Sequence, residues 1–348
     1  MPLETSVLQN ELEIKNFLLN NYKIDAITSK HLSIGSANCF KIYSNIGVFF
    51  LKEMQSKFSI HDLERVIVVC NHLKMNGIET SVFLKNIQKG YVCNYKGHLF
   101  HLQKYIEGET PRRNCMSSKM LMQSSNLLAR LHKHLETLDR FPIGFDYKWY
   151  EDWHKGKSIE KLLNVIFQLK RHTIGNEKIE QLIDLCYQKI YLLQTWDVSC
   201  ENFKQLKCVN SHGDYNNLQL LCDKNEIKAV IDFTSVTYLP AVWELIRSYT
   251  FGAPECGNGN CIDVKELKKY IDSYLSIFKL PLNDIKNMVD FYCFHMLRST
   301  YGFKEYLETY DDNLFEFALW RTNLCKYMYI IRRDITSYLT KEYAGSLE

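Results

Sequence analysis

Two aspartates in β-like surroundings constrain this chain more than any other feature of its sequence. Asp214 lies in SHGDYNNLQLL, and Asp232 lies eighteen residues later in KAVIDFTSV. A hairpin between these two segments would bring both carboxylates into one cleft. Two carboxylates held together are unfavourable unless a metal ion or a substrate uses them. A turn position would explain Asp214 alone, and a helix N-cap position would explain Asp232 alone. For the two aspartates together, these structural roles are the weaker explanation.

The pattern around these aspartates divides the chain into two parts. Up to about residue 106, short β-like runs, including 39–43, 47–54 and 82–87, alternate with single helices. The helix face at 60–76 is expected to end at Gly77. From about residue 117 onward the pattern is helical, except for a β-like island at 207–235. We therefore predict a small sheet-rich part, residues 1–106, and a larger helical part, residues 107–348.

Composition limits the partners and the compartment. The formal net charge of the 348 residues is +3, which is too small to predict binding to nucleic acid or to a membrane surface. No stretch has the length of a membrane span, and the N-terminal segment does not have the pattern of a signal peptide. The twelve cysteines are scattered singly, which favours reduced thiols over a disulfide framework. These observations predict a cytoplasmic protein.

Candidate residues for phosphate chemistry occur before and within the island. Lys52, in the apolar run VFFLKE, would neutralise nucleotide phosphates if a carboxylate such as Glu64 of the next helix held it. The alternative is a lysine on the solvent face of an edge strand. Gly35 begins GSANCFK, which fits a turn between two strands that cover phosphates, although most such turns are plain hairpins. We expect His212 to brace the loop of Asp214 rather than to transfer protons.

These residues come in an order that resembles the aminoglycoside phosphotransferase and choline kinase superfamily, and in particular its homoserine kinase type II and spore-coat kinase-like branch. The resemblance covers roughly residues 10 to 335. GSANCFK resembles the nucleotide loop, LQKYIEGE at 102–109 the hinge, HGDYNN the catalytic loop and VIDF the metal-binding segment. LARLHKHLE resembles the helix packed under the catalytic loop. Glu244 stands where these proteins usually have an Asp that supports that loop.

The resemblance implies an α+β, bilobal protein-kinase-like fold with a small antiparallel-sheet N-lobe and a larger, mostly helical C-lobe. It also implies an ATP- and Mg²⁺-dependent phosphotransferase whose partner is a small-molecule hydroxyl acceptor, acting as a monomer or a homodimer. The acceptor stays open among an aminoglycoside, an amino alcohol, a sugar and homoserine. The implied residues are Asp214 for catalysis, Gly35, Asn38, Lys52, Glu64, Gln103 and Tyr105 for the nucleotide, and Gln219 and Asp232 for the metal.

Two departures from the superfamily bear on activity. Gln219 replaces the usual Asn, so its amide oxygen lies about 1.5 Å further from the backbone. Thr234 stands where a second acid often follows. We predict a working kinase with an adjusted metal site, and the alternative is a degenerate kinase fold that serves as a binding or scaffold protein of the spore-coat type. A protein kinase is less favoured, since no long activation loop follows VIDF.

Overall fold

The chain divides into two units. The computed structural model describes residues 4–32, 37–143, 153–172 and 176–345. The sheet unit is the chain up to Glu109 together with Lys228–Thr234, and the helical unit comprises Thr110–Ile227 and Ser235–Glu348. The sequence placed a boundary at 106/107 and did not predict that residues 228–234 belong to the sheet unit.

Five antiparallel strands form the sheet of the sheet unit, in the order β1-β2-β3-β5-β4. Gly47, with φ of 139°, pairs with Ser44 in the tight β2–β3 hairpin, a backbone conformation that favours glycine. The prediction of a strand at 82–87 is wrong, because the backbone of that segment pairs with β5 only at isolated points, such as Phe83 opposite Gln103. The strands are β1 (Ala26–Leu32), β2 (Asn38–Ser44), β3 (Gly47–Glu53), β4 (Val92–Tyr95) and β5 (His98–Lys104).

The two faces of this sheet differ in character because side chains alternate along each strand. One face is an apolar core that packs on α1 (Glu11–Tyr22), where the ring centres of Phe17 and Phe100 lie 4.8 Å apart. The other face carries polar side chains from β2, β3 and β5. Helix α2 (Ile60–Met75) starts with a capping box between Ser59 and Asp62 and stops before Gly77, as predicted.

The segment 228–234 joins the sheet unit through its backbone. The Val230 N–H donates to the Glu79 carbonyl at 3.0 Å, and Val230 forms a parallel bridge with Thr80. Asp232 follows directly and has φ of 58°, which is unusual for a residue other than glycine. A residue held in this conformation at the end of a strand is typical of a functional site, where the surrounding structure must maintain it.

Helices build most of the helical unit, as the sequence predicted. Helix α6 is central, and of its twelve residues only Arg247 is not classed as buried. None of the described helices is both long enough and apolar enough to span a membrane. The helices are α3 (Ser118–Leu135), α4 (Lys155–Lys170), α5 (Glu177–Gln194), α6 (Ala241–Gly252), α7 (Val264–Leu275), α8 (Leu282–Arg298), α9 (Phe303–Thr309) and α10 (Asp312–Tyr343).

Two short sheets make up the β-like island. β6 (Cys208–Ser211) pairs antiparallel with β9 (Thr237–Pro240). β7 (Leu220–Asp223) and β8 (Glu226–Val230) form the second sheet, and β8 continues into the segment that belongs to the sheet unit. The loop that contains Asp214 runs from the end of β6 to the start of β7, so both of its ends are fixed by strands.

Candidate active site

A cross-strand row of chemically active side chains lies on the polar face of the sheet unit. The register places Lys52 of β3 between Cys39 of β2 and His101 of β5, on the face opposite the apolar core. Lys41 and Gln103 occupy the next row on the same face. The predicted nucleotide residues Lys52 and Gln103 therefore share one surface, and this surface follows from strand alternation alone.

Lys52 is paired with Asp232. Its Nζ lies 3.0 Å from Asp232 Oδ1, which also accepts a hydrogen bond of 2.7 Å from Thr234 Oγ1. Burial opposes the charged form of Lys52, but the Asp232 carboxylate and the nearby Cys39 raise the pKa of the lysine, so the ammonium persists. The sheet unit thus holds a partly buried cation and a carboxylate in contact.

Burial has the opposite outcome at His101. It lowers the pKa of this imidazole to about 3, with the Lys52 charge acting in the same direction and Asp232 against it. The ring is therefore neutral at physiological pH, and Lys52 is the cation of this row.

Two of the predicted nucleotide residues are engaged elsewhere in the structure. The Glu64 carboxylate is exposed and lies 3.3 Å from His61 Nδ1, and it does not contact Lys52. The Asn38 side chain points to the core face of the sheet, where its amide donates to the Glu4 carbonyl at 2.9 Å. Gly35 lies outside the described residues.

The predicted hinge residues lie at the end of β5. Gln103 Nε2 is 3.3 Å from His101 Nδ1, and the Tyr105 ring lies under Lys41, whose Nζ is 3.8 Å from the ring centre. Lys41 also contacts Glu107 at 3.0 Å. The Tyr105 N–H donates to the Val48 carbonyl at 3.1 Å, so this peptide group is already engaged.

Gly213 gives the loop after β6 its shape. Its φ is 80°, and a Cβ at this position would lie 1.8 Å from the Ser235 carbonyl oxygen, so only glycine fits. The Asp214 N–H donates to His212 Nδ1 at 3.3 Å, and His212 is fully buried. This geometry confirms the prediction that His212 braces the loop.

Both carboxylate oxygens of Asp214 accept hydrogen bonds from side chains. Arg247 Nη2 lies 2.6 Å from Oδ1, and Gln219 Nε2 lies 2.8 Å from Oδ2. Arg247 Nη1 also donates to the Tyr215 carbonyl at 3.1 Å, so one guanidinium holds both the side chain and the backbone of the loop. Arg247 was not among the predicted site residues. Its local signal is its position three residues after Glu244, on the same face of a helix.

Glu244 supports the loop from the first turn of α6, as predicted. Its Oε1 accepts the Tyr215 N–H at 3.2 Å, and its Oε2 accepts from Ser211 Oγ and lies 3.1 Å from His132 Nε2. Burial acts to raise the pKa of Glu244, but hydrogen bonds and charge from His132 outweigh burial and lower it. His132 comes from α3, the helix that the resemblance placed under the loop.

The predicted metal residues carry oxygen donors, the type of ligand that Mg²⁺ prefers. Among the described residues, no group of three or more His, Cys, Asp or Glu side chains is arranged to hold a metal ion. Asp232 offers a carboxylate in the sheet unit and Gln219 offers an amide oxygen in the helical unit, and Mg²⁺ is commonly bound by one or two carboxylates together with substrate phosphates. Asp214 and Asp232 belong to different units, so their predicted pairing in one cleft stays a prediction.

The comparison with protein families decides the assignment. The family described as the phosphotransferase enzyme family (APH) matches residues 33–260, about two thirds of the chain. The chain belongs to this family. The match includes Lys52, Asp214, Gln219, Asp232, Glu244 and Arg247. No curated protein matches the sequence significantly.

Solved structures of phosphotransferases share the fold of this family member. A microcompartment-associated aminopropanol kinase is 13% identical, with 94% of this chain and 100% of the other covered and a TM-score of 0.63. An amicoumacin kinase in complex with AMP-PNP, Ca²⁺ and Ami is 11% identical, with 91% and 93% covered and a TM-score of 0.60. A spectinomycin phosphotransferase in complex with ADP and spectinomycin is 16% identical, with 90% and 99% covered and a TM-score of 0.54. The α+β, protein-kinase-like fold class is thereby confirmed.

Proposed function

We propose that this phosphotransferase transfers the γ-phosphoryl group of ATP to a hydroxyl group of a small molecule. The observation that carries the proposal is the carboxylate of Asp214, held through both oxygens at the end of β6 by Arg247 and Gln219. Donors on both oxygens fix the direction of the carboxylate, as a base that orients a hydroxyl requires. The aminopropanol, amicoumacin and spectinomycin enzymes support a small-molecule acceptor.

In the proposed reaction the acceptor hydroxyl oxygen attacks the γ-phosphorus, and the bond from that phosphorus to the β–γ bridging oxygen breaks. Asp214 accepts the hydroxyl proton as the new P–O bond forms, and ADP leaves with the bridging oxygen. Arg247 keeps the carboxylate in place through its two contacts. Glu244 and His212 hold the loop backbone, so the base does not have to be ordered during the reaction.

The sheet unit contributes the nucleotide side of the proposal. Lys52 is a partly buried cation suited to the phosphate oxygens, and Asp232, with Gln219 as a second donor, would hold Mg²⁺. When bound, the ion supplies neutralisation of the charge that develops on the phosphates. Gln103 and Tyr105, at the end of the same polar face, would contact the base.

The twelve free cysteines include exposed Cys115 and Cys261, and unpaired exposed thiols support a reducing, cytoplasmic location.

Nucleotide binding is tested by thermal unfolding with ATP, with and without Mg²⁺. We expect ATP with Mg²⁺ to stabilise the protein by about 2.7 kcal/mol at a hundredfold excess over its dissociation constant. Lys52→Met should abolish most of this shift, whereas Lys57→Met, at an exposed lysine of the same unit, should preserve it. If ATP gives no shift under any metal condition, the proposal fails and the scaffold alternative gains support.

Gln219 is expected to matter for both metal use and the position of the base. Gln219→Ala should raise the Mg²⁺ concentration for half-maximal activity. Gln219→Asn shortens the side chain by about 1.5 Å, so the 2.8 Å contact with Asp214 is lost and kcat should fall. The measurement is the Mg²⁺ dependence of turnover in both variants.

The exposed Gln168 of α4 provides the matched control, and Gln168→Asn should change neither quantity. An unchanged Mg²⁺ dependence in both Gln219 variants would show that Gln219 is not a ligand. A marked rise in turnover for Gln219→Asn would instead identify the natural glutamine as a defect.

A further inference from the structure

Arg321 is a buried cation of the helical unit, and no carboxylate of the described residues pairs with it. It lies on α10, and its Nη2 donates to the Tyr301 carbonyl at 2.8 Å. Its Nε is buried and has no acceptor among the described residues. The guanidinium carbon lies 5.0 Å from the centre of the Phe317 ring. A buried guanidinium that finds only a carbonyl and a ring is unfavourable, so its presence points to a ligand.

Lys189 of α5 is a second buried basic side chain in a similar environment. Its side chain is almost fully buried, and Nζ donates to the Ser299 carbonyl at 2.5 Å and lies 5.0 Å from the Phe303 ring centre. In the part of the chain that the structure describes, it has no carboxylate contact either. The same short connection between α8 and α9 thus supplies the carbonyls that hold both Lys189 and Arg321.

Lys189 and Arg321 bind carbonyls that are two residues apart in the chain, and the charge of Arg247, the partner of Asp214, acts on Arg321. Burial, with the Arg321 charge acting in the same direction, lowers the pKa of Lys189 to about 7. Burial also lowers the pKa of Arg321 to about 10, with Arg247 acting in the same direction. We call Lys189, Arg247 and Arg321 the cationic cluster. Mutual repulsion of this kind is typical of a site that binds an anion.

Tyr301 connects the cationic cluster with the proposed base. Burial and Glu305 raise its pKa, while Arg321 acts against this rise and Asp214 adds to it. The ring therefore lies within the fields of both Arg321 and Asp214. Because Tyr301 is half exposed, solvent reaches this part of the unit.

The acids near the cationic cluster are already engaged. Glu305 accepts the Gly302 N–H at 2.8 Å as the N-terminal cap of α9, and no ion pair joins it to Arg321 among the described residues. Asp214 is held by Arg247 at one oxygen and by Gln219 at the other. The described surroundings of Arg321 and Lys189 thus leave positive charge without a matching carboxylate contact.

We propose that the acceptor carries an anionic group, a carboxylate or a phosphate, which binds at Arg321 with Lys189 behind it while the acceptor hydroxyl lies at Asp214. The inference rests on the proposed function and narrows its acceptor class. A guanidinium forms two parallel hydrogen bonds to a carboxylate or phosphate, and this geometry selects anions over neutral or cationic molecules of similar size. A hydroxy acid or a phosphorylated alcohol meets these requirements.

The test compares acceptors that share a skeleton and differ in charge. The pairs are glycerate and glycerol, gluconate and glucitol, and L-homoserine and 3-aminopropan-1-ol, with glycerol 3-phosphate added as the phosphate form and choline and kanamycin as cations. With ATP consumption as the readout, we expect kcat/KM for at least one anionic member to exceed that of its counterpart by about tenfold or more. Preference for a neutral or cationic acceptor would overturn the inference and leave the proposed function intact.

Arg321→Gln tests the residue itself. We expect KM for the preferred anion to rise about 10- to 100-fold, with a smaller change in kcat and no change for the uncharged counterpart. Arg321→Lys should retain part of the affinity, because it keeps the charge. The control is Arg333→Gln, at an exposed arginine of the same helix. An unchanged KM in a folded Arg321→Gln protein would contradict the inference.

Binding without turnover separates the two proposals. If no acceptor is consumed, thermal shifts with gluconate, glycerol 3-phosphate and inorganic phosphate are compared between the natural protein and Arg321→Gln. A shift that depends on Arg321 supports the anion site although the phosphotransferase proposal has failed, and the absence of such a shift overturns the site. If Arg321→Gln does not fold, the acceptor ranking is measured for the natural protein and for the Lys189→Met variant. This ranking then decides whether the acceptor is anionic.

Discussion

Replacing Asp214 by Asn is expected to lower kcat by a factor on the order of 10² to 10⁴ and to leave ATP binding nearly unchanged. The amide keeps the size of the side chain but cannot accept the proton of the acceptor hydroxyl. It also replaces one of the two oxygens that Arg247 and Gln219 now contact, so the side chain loses part of its orientation. The measurement is turnover with an identified acceptor, together with the thermal shift that ATP produces.

The matched control is Asp223→Asn, at an exposed aspartate of β7 nine residues further along the chain. It should retain full turnover. If Asp214→Asn also retained full turnover, Asp214 would not be the base. If the variant lost its response to ATP as well, the loop would have collapsed, and the loss of turnover could not be assigned to the missing proton acceptor.

Replacing Lys189 by Met is expected to stabilise the fold at neutral pH. The pKa of Lys189 is about 7 in the folded protein against an ordinary value of 10.5. Between these two values the unfolded chain binds a proton at Lys189 that the folded chain lacks, so stability rises with pH across this window. This pKa difference corresponds to a loss of stability of roughly 5 kcal/mol as an upper limit. Met has no titratable group and fills a similar volume, so it removes this loss.

The measurement is the free energy of unfolding at pH 7 and at pH 9.5 in both proteins. The natural protein should be more stable at pH 9.5, the variant should show a smaller dependence on pH, and the two should converge at high pH. Lys178→Met, near the exposed start of the same helix, serves as the control and should not alter the pH dependence. A loss of stability at pH 7 in Lys189→Met would show that the buried ammonium is not unfavourable.

Much of the helical unit and of the loop at Asp214 could be predicted from local sequence. Apolar periodicity located the helices, and the HGD and IDF segments located both aspartates. The error at Glu64 has a physical reason in the same pattern. The buried positions of α2 include Leu63, Val66 and Ile67, so Glu64 points away from that face. The carboxylate that reaches Lys52 comes instead from Asp232, far along the chain.

Features that depend on long-range contacts could not be predicted. Arg247 lies on a helix that is buried on all sides, so no amphipathic pattern distinguished the face that meets Asp214. The run at 82–87 has strand-like composition, but its backbone meets β5 only at isolated points. The environment of Arg321 and Lys189 depends on the carbonyls of a loop between α8 and α9, and local composition carries no signal for such contacts.

The assignment of residues 228–234 to the sheet unit has a consequence for how this protein is made. During synthesis the first 109 residues leave the ribosome without the segment that supplies the partner of Lys52 and the Val230 hydrogen bond to Glu79. Until residue 234 is available, Lys52 lacks the carboxylate that it contacts in the complete sheet unit. The N-terminal part therefore cannot complete its fold in order of translation, and it should populate a nascent state that becomes native only after most of the island has been synthesised.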